Sequence, residues 1–149
     1  MKSIFNPADN QEIINRINNL TIESKAKWGK MTVDQMLSHC IAPIDVAFGT
    51  LPLKANFVMR LLGKMLKSKI LNSPEFKKNS PTAPAFIRKE SYDFEASKKE
   101  LIEKVKRFAL EGHTAIKNQI HPFFGKMTYE EWDKLHYMHL NHHLKQFDC

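Results

Sequence analysis

The chain has 149 residues, of which 42% are hydrophobic and 26% are charged, and its formal net charge is +7. These values are typical of a soluble globular protein and exclude a disordered or membrane-spanning chain, so we expect a single domain over residues 1–149. No apolar run could span a bilayer, and Asn6-Pro7 interrupts the N-terminal segment before a signal peptide could form, which predicts a cytoplasmic protein.

The first predicted helix covers about residues 8–19. Asn6 followed by Pro7 is a good helix start, because asparagine caps free backbone N–H groups and proline suits the first helical position. Isoleucines then recur on one side of this helix, at Ile13, Ile14 and Ile17.

The second predicted helix begins at Thr32 and ends at Gly49. Thr32 and Gln35 have the spacing of a capping box, in which each side chain satisfies a free backbone N–H of the other residue. Pro43 interrupts the helix, because its nitrogen cannot donate a hydrogen bond to the carbonyl of residue 39. The apolar stripe of this helix consists of Val33, Leu37, Cys40 and Ile44.

The third predicted helix covers roughly residues 55–71, and we expect its apolar side to face the core. That side consists of Phe57, Val58, Leu61, Leu62, Met65 and Leu66. The stretch from 72 to 93, which contains three prolines, is then either a lid over a site or a packed connector.

Two further helices are predicted at about 95–111 and 128–147, the latter with a capping box formed by Thr128 and Glu131. No convincing strand pair is present. The sequence therefore predicts an all-α fold whose core is four long helices, with 8–19 as a shorter additional piece.

The last helix places two histidines on its apolar face. His139 and His143 lie on the same face of the helix as Trp132 and Phe147. Two histidines four residues apart on a helix can bind one metal ion together. Gln146 is a candidate partner for the second ring nitrogen of His143. The alternative is a surface cluster on a shorter helix. The pair is not the zinc-protease motif, because no glutamate follows the first histidine.

A stable site needs a third protein ligand from another helix. His39 is the strongest candidate, since it lies at the border of the apolar stripe of the second helix. His136 and His121 are alternatives, whereas His113 and His142 are weaker candidates.

Three segments carry a resemblance to a known family: WGKMTVDQMLSHC at 28–40, PTAPAF at 81–86 and HPFFGKMTYEEWDKLHYMHLNHHLKQF at 121–147. The chain resembles the DinB-like (YfiT-like) metal-binding helical-bundle superfamily, and more closely an uncharacterised bacterial subfamily of it. The match in order extends over nearly the whole chain.

This resemblance implies an antiparallel four-helix bundle in which three histidines bind nickel, zinc or a related divalent ion. Carried over residue by residue, the ligands are His39, His139 and His143, and the remaining coordination positions hold water or substrate. Relatives in the superfamily include transferases that use bacillithiol or mycothiol, and also hydrolases and isomerases.

Two functions are therefore weighed first. One is a metal-dependent enzyme of the thiol-transferase or hydrolase type, acting on a small-molecule substrate such as a low-molecular-weight thiol. The other is a non-catalytic module with a structural metal or a small-ligand pocket. The base rate for soluble proteins favours a homodimer.

A third hypothesis arises from the basic residues between 54 and 89. A nucleic-acid or membrane-surface binder would act through Lys64, Lys67 and Lys69. The sequence contains no recognisable nucleic-acid motif, which favours a solvated lysine face. We therefore expect neither a nucleic acid nor a membrane as partner.

Overall fold

The computed structural model describes residues 2–149, and the predicted mostly helical fold is confirmed. Its helices are α1 (Pro7–Asn18), α2 (Val33–Phe48), α3 (Phe57–Leu71), α4 (Phe94–Glu111) and α5 (Tyr129–Gln146). Short 3-10 turns lie at Pro84–Phe86 and Gly112–Ala115. Within residues 2–149, none of the helices is both long and apolar enough to cross a bilayer.

Local capping sets where the helices begin. The Asn6 side chain accepts hydrogen bonds from the backbone N–H groups of the first turn of α1. At α5, the Glu131 N–H donates to Thr128 Oγ1 over 3.2 Å, and the Thr128 N–H donates to a Glu131 carboxylate oxygen over 2.9 Å. The helix starts predicted from these residues lie within two residues of the observed ones.

Four helices enclose the core. Helix α2 packs against α4 and α5, and α1 packs against the same two helices. The shorter piece predicted at 8–19 therefore packs as a full member of the core, because the isoleucines of α1 are buried. The core residues include Ile13, Ile17, Leu37, Ile44, Leu101, Val105, Phe108, Trp132, Leu140 and Leu144.

Helix α3 lies outside this core. It packs against α5 and against residues 125–126, which precede α5 in the sequence. The prediction that its apolar side faces the core is wrong, since Phe57 is 78% exposed and Met65 is 71% exposed. The physical reason is that α3 approaches the protein through Gly63, which is buried against the backbone of Phe123. Most of its large apolar side chains consequently point to solvent.

The segment between α3 and α4 is tied to α2 in its second half. Arg88 Nε donates to Ser38 Oγ over 2.9 Å, and the Tyr92 N–H donates to a carboxylate oxygen of Asp34 over 2.8 Å. These bonds hold the 3-10 turn Pro84–Phe86 beside the middle of α2. This half of the segment is a packed connector.

A two-residue antiparallel strand pair precedes α5, which the sequence analysis did not predict. Strand β1 (Ile120–His121) pairs with β2 (Gly125–Lys126). The Met127 N–H extends this pairing by donating to the Gln119 carbonyl over 2.9 Å. The hairpin buries the ring of His121 close to α5.

Candidate metal centre

Three histidines from two helices meet at one place. His39 comes from α2, and His139 and His143 lie one turn apart on α5. One ring nitrogen of each lies within 4.8 Å of those of the other two, and Nε2 of His39 is 3.0 Å from Nε2 of His139. These are the same three histidines that the sequence analysis selected as ligands.

A backbone carbonyl orients the His39 ring. Nδ1 of His39 lies 2.9 Å from the carbonyl oxygen of Phe86. Because a carbonyl can only accept, Nδ1 carries the hydrogen and Nε2 keeps its lone pair. The 3-10 turn that supplies this carbonyl is held on α2 by Arg88, so the connector between α3 and α4 positions a ring of the cluster.

A chain of two hydrogen bonds orients the His143 ring in the same way. The Gln146 amide nitrogen donates to the Trp28 carbonyl over 2.7 Å, which turns its Oε1 towards Nδ1 of His143, 2.8 Å away. Nδ1 of His143 therefore donates, and Nε2 is left free to bind an ion. The predicted contact between Gln146 and His143 is confirmed.

Gly29 makes room for this arrangement. It adopts a φ of +79°, and a Cβ at this position would lie 2.7 Å from the Gln146 amide nitrogen. Glycine is the residue that adopts this backbone conformation without strain. Gly29 thus allows the Gln146 amide to reach the Trp28 carbonyl and to hold the His143 ring.

We expect Gln146→Leu to lower the zinc affinity about 10–100-fold, the usual cost of losing a partner behind a metal ligand. Leucine keeps the side-chain bulk but cannot accept from Nδ1 of His143. Competition titration with a chromophoric chelator measures the affinity. Gln11→Leu, at an exposed position on α1, serves as the matched control. Unchanged affinity in Gln146→Leu would contradict the orienting role.

His139 is the most accessible member of the cluster. His39 and His143 are buried, whereas His139 is half-buried. The ring of Phe76 lies edge-on to His139, with 6.1 Å between ring centroids. The exposed part of the cluster is therefore on the side of His139.

Burial keeps all three rings in the neutral form. It lowers the pKa of His143 to about 3, with the charge of His39 adding to the effect. It also lowers the pKa of His39 below its ordinary value, and the charge of Arg88 adds to this. The pKa of His139 is lowered well below its ordinary value, again chiefly by burial and next by the charge of His143. Neutral imidazole is the form that binds a metal ion, so few protons compete for the site at neutral pH.

The cluster fits a divalent transition metal. Imidazole nitrogens suit zinc, nickel, copper and iron. With metal–nitrogen bonds of about 2.0–2.1 Å, a tetrahedral ion separates its ligand nitrogens by about 3.3 Å. The 3.0 Å between the facing nitrogens of His39 and His139 is close to that separation.

Residues 5–148 match a family described as "Protein of unknown function (DUF1569)". The chain belongs to the DUF1569 family. No curated protein and no solved structure matches it.

The other two candidate ligands of this DUF1569 chain lie outside the cluster. The His136 ring is buried and stacks on Trp132, with centroids 5.5 Å apart, and its Nε2 has no hydrogen-bond partner among the described residues. Nδ1 of His121 accepts from the N–H groups of Phe123 and Phe124 over 3.1 and 3.2 Å. Both rings belong to the core around Trp132.

The two weaker candidates are also not members of the cluster, although the ring of His142 lies 5.1 Å from that of His143. His113 is exposed and stacks on Tyr129, with 4.5 Å between centroids. His142 is half-buried between the rings of Trp28 and Phe76. His142 is therefore a suitable control position next to the cluster.

Sequence analysis did not select Phe86, Trp28 or Gly29. Phe86 and Trp28 act through backbone carbonyls, for which a sequence has no signal. Gly29 lies three residues before Thr32, where α2 starts. A glycine in such a loop can indicate that another group approaches the backbone closely, and this was the only signal for the contact in the sequence.

Acid is expected to destabilise the metal-free DUF1569 chain through its buried histidines. Burial lowers the pKa of His136 to about 3 and that of His121 to about 4. The unfolded chain takes up these protons from about pH 6.5 downwards while the folded chain does not. The stability they contribute is therefore complete above pH 6.5 and is lost as the pH falls towards 4.

For His136 this loss amounts to about 2 kcal/mol between pH 7 and pH 5. Urea unfolding at these two pH values should therefore show a smaller pH dependence in His136→Phe than in the original chain. Gln11→Leu, at an exposed position on α1, removes no titratable group and serves as the control. An identical pH dependence in His136→Phe would show that His136 is not buried in the neutral form.

Proposed function

We propose that this chain is a divalent-metal-binding protein of the DinB-like type. In this proposal α1, α2, α4 and α5 form an antiparallel four-helix bundle, and His39, His139 and His143 are the metal ligands. One observation carries it. The buried rings of His39 and His143 give their Nδ1 hydrogens to Phe86 and Gln146, which leaves their Nε2 nitrogens free for an ion.

A metal accounts for this arrangement better than a polar core does. A hydrogen bond between His139 and His39 would satisfy one free ring nitrogen. The remaining ring nitrogen of His143 has no hydrogen-bond partner among the described residues, although the residue is only 7% exposed, and polar groups of buried residues are stabilised by a partner. An ion bound by all three rings would be that partner.

We further propose that the site is catalytic. A bound ion would lower the pKa of a coordinated water or thiol, so that a nucleophile exists near neutral pH. His39 and His143 close the buried side of the site, and we expect a small molecule to enter on the side of His139, the member of the cluster that is only partly buried. We therefore favour a transferase of a low-molecular-weight thiol or a hydrolase, with nickel or zinc as the ion.

A specific observation also favours the non-catalytic alternative. Phe76 packs against His139, and the turn containing Phe86 covers His39. A metal enclosed in this way would tie the connector between α3 and α4 to α2 and α5. Chelation would then lower the melting temperature of the protein, and it would affect no catalytic turnover.

Metal analysis of the untagged protein tests the proposal. We expect about one nickel or zinc ion per chain in the original protein and in His142→Ala, and almost none in His139→Ala/His143→Ala. Circular dichroism confirms that the variants are folded. Full occupancy in the double variant would overturn the proposed site.

Turnover separates the enzyme from the metal-binding module. The metal-loaded protein is assayed for transfer of bacillithiol- and mycothiol-type thiols to small electrophiles, and for ester and amide hydrolysis. We expect turnover that the double variant and chelation both abolish. A fully loaded protein that catalyses none of these reactions, but melts at a lower temperature after chelation, supports the non-catalytic module.

A further inference from the structure

Helix α3 presents a continuous apolar surface to solvent. The residues concerned are between 46% and 78% exposed. They are Phe57, Val58, Leu61, Leu62, Met65 and Leu66, together called the α3 apolar face. Exposed apolar residues that are scattered singly need no explanation, but a contiguous group marks an interaction site.

The way α3 is attached leaves this face free. At 100° per residue, the six residues of the α3 apolar face fall within about half of the helix circumference. The opposite side carries the buried Gly63 and Leu71. On that side Lys67 also pairs with Glu131 of α5 over 2.7 Å. The apolar face is therefore not used in holding α3 on the protein.

The segment that carries the α3 apolar face has charges of a single sign. Between Asp45 and Glu75 the sequence has no acidic residue. The basic residues of this stretch, apart from the paired Lys67, are exposed: Lys54, Arg60, Lys64 and Lys69. The third hypothesis of the sequence analysis relied on Lys67, which the structure instead assigns to an ion pair with α5.

We propose that α3 docks on an anionic lipid surface. The helix would lie in the plane of the interface, with the α3 apolar face between the acyl chains and the basic side chains at the lipid phosphates. This reverses the expectation of no membrane partner. The sequence analysis weighed a membrane-surface binder only as its third hypothesis, because the basic residues by themselves favoured a solvated lysine face.

The charge pattern favours lipid over a second copy of the chain. A dimer through the α3 apolar face would bring the basic residues of two copies together, with no acidic residue of the stretch to offset them. An anionic bilayer supplies both the apolar layer and the negative charge. The inference is independent of the metal site, because it uses no residue of the histidine cluster.

Vesicle co-sedimentation of the full chain tests the proposal. We expect binding to vesicles of phosphatidylcholine with phosphatidylglycerol, weaker binding at high salt, and little binding to phosphatidylcholine alone. Phe57→Ser/Leu61→Ser/Met65→Ser should lower the binding on the order of 100-fold, because three apolar side chains leave the lipid. Leu110→Ser, at an 82% exposed position on α4, should bind like the original chain.

A variant that lacks two basic residues tests the contribution of the charges separately from that of the apolar residues. Lys64→Gln/Lys69→Gln removes the two exposed basic residues that border or lie within the α3 apolar face, keeps its six apolar residues, and should weaken the binding to anionic vesicles and reduce its salt dependence. Absence of binding to anionic vesicles at low salt would overturn the proposal, as would equal binding by the triple serine variant. A dimer in sedimentation analysis that this variant abolishes, without vesicle binding, would assign the face to a second copy.

Discussion

Replacing His39 by alanine is expected to lower the zinc or nickel affinity by more than about 100-fold, beyond the cost of losing a partner behind a ligand. His39 is the only member of the cluster that comes from α2, and without it α5 alone offers two imidazoles. Titration against a competing chelator measures the change.

His142→Ala is the matched control for this prediction, because His142 adjoins His143 in sequence but lies outside the cluster. It should keep the affinity of the original chain within a few-fold. Thermal melting of the metal-free variants shows whether His39→Ala is folded, and His39→Gln gives a second test in case alanine loosens the turn at Phe86. If both His39 variants bind metal as tightly as the original chain, His39 is not a ligand.

Gly63→Ala is expected to lower the free energy of unfolding by about 2 kcal/mol, although alanine is the better helix former by about 1 kcal/mol. A Cβ on Gly63 would lie 2.1 Å from the carbonyl oxygen of Phe123 and 2.6 Å from its carbon. Both are backbone atoms and cannot move aside as a flexible side chain would. We expect α3 to be displaced from the β1–β2 hairpin.

Urea unfolding measures this stability difference, and limited proteolysis of residues 54–71 reports the detachment of α3. Ser68→Ala makes an alanine at an exposed position of the same helix and should leave the stability unchanged or slightly higher. If Gly63→Ala proves as stable as Ser68→Ala, α3 does not pack on Phe123 as described.

The helices could be located from the sequence because their ends depend on neighbouring residues. Thr128 and Glu131 satisfy each other's N–H groups within one turn, so the signal lies in four consecutive residues. The same holds for the start at Thr32 and for Gly49, which ends α2 with a φ of +74°. None of these features requires knowledge of the rest of the fold.

Which face of α3 packs inward could not be predicted in this way. The apolar period showed that the helix is amphipathic, and burying the apolar side is the usual outcome. The close approach of Gly63 to Phe123 joins residues 60 positions apart. A single sequence carries no information about such a contact.

The histidine cluster was accessible to sequence reasoning only in part. His139 and His143 share a face by helical spacing, and His39 followed from its place on α2 and from the family resemblance. The carbonyls of Phe86 and Trp28, which fix the ring orientations, come from two separate loops. The partial exposure of His139 depends on how the connector near Phe76 lies over α5.

X-ray absorption spectroscopy of the zinc-loaded protein tests the central claim most directly, because it counts the imidazoles on the metal. The proposed site predicts one zinc ion per chain with three imidazole ligands at about 2.0–2.1 Å, completed by oxygen. In His39→Ala, loaded at high zinc concentration, the count should fall to two. Zinc bound by fewer than three imidazoles in the original chain, or the same coordination in both proteins, would contradict it.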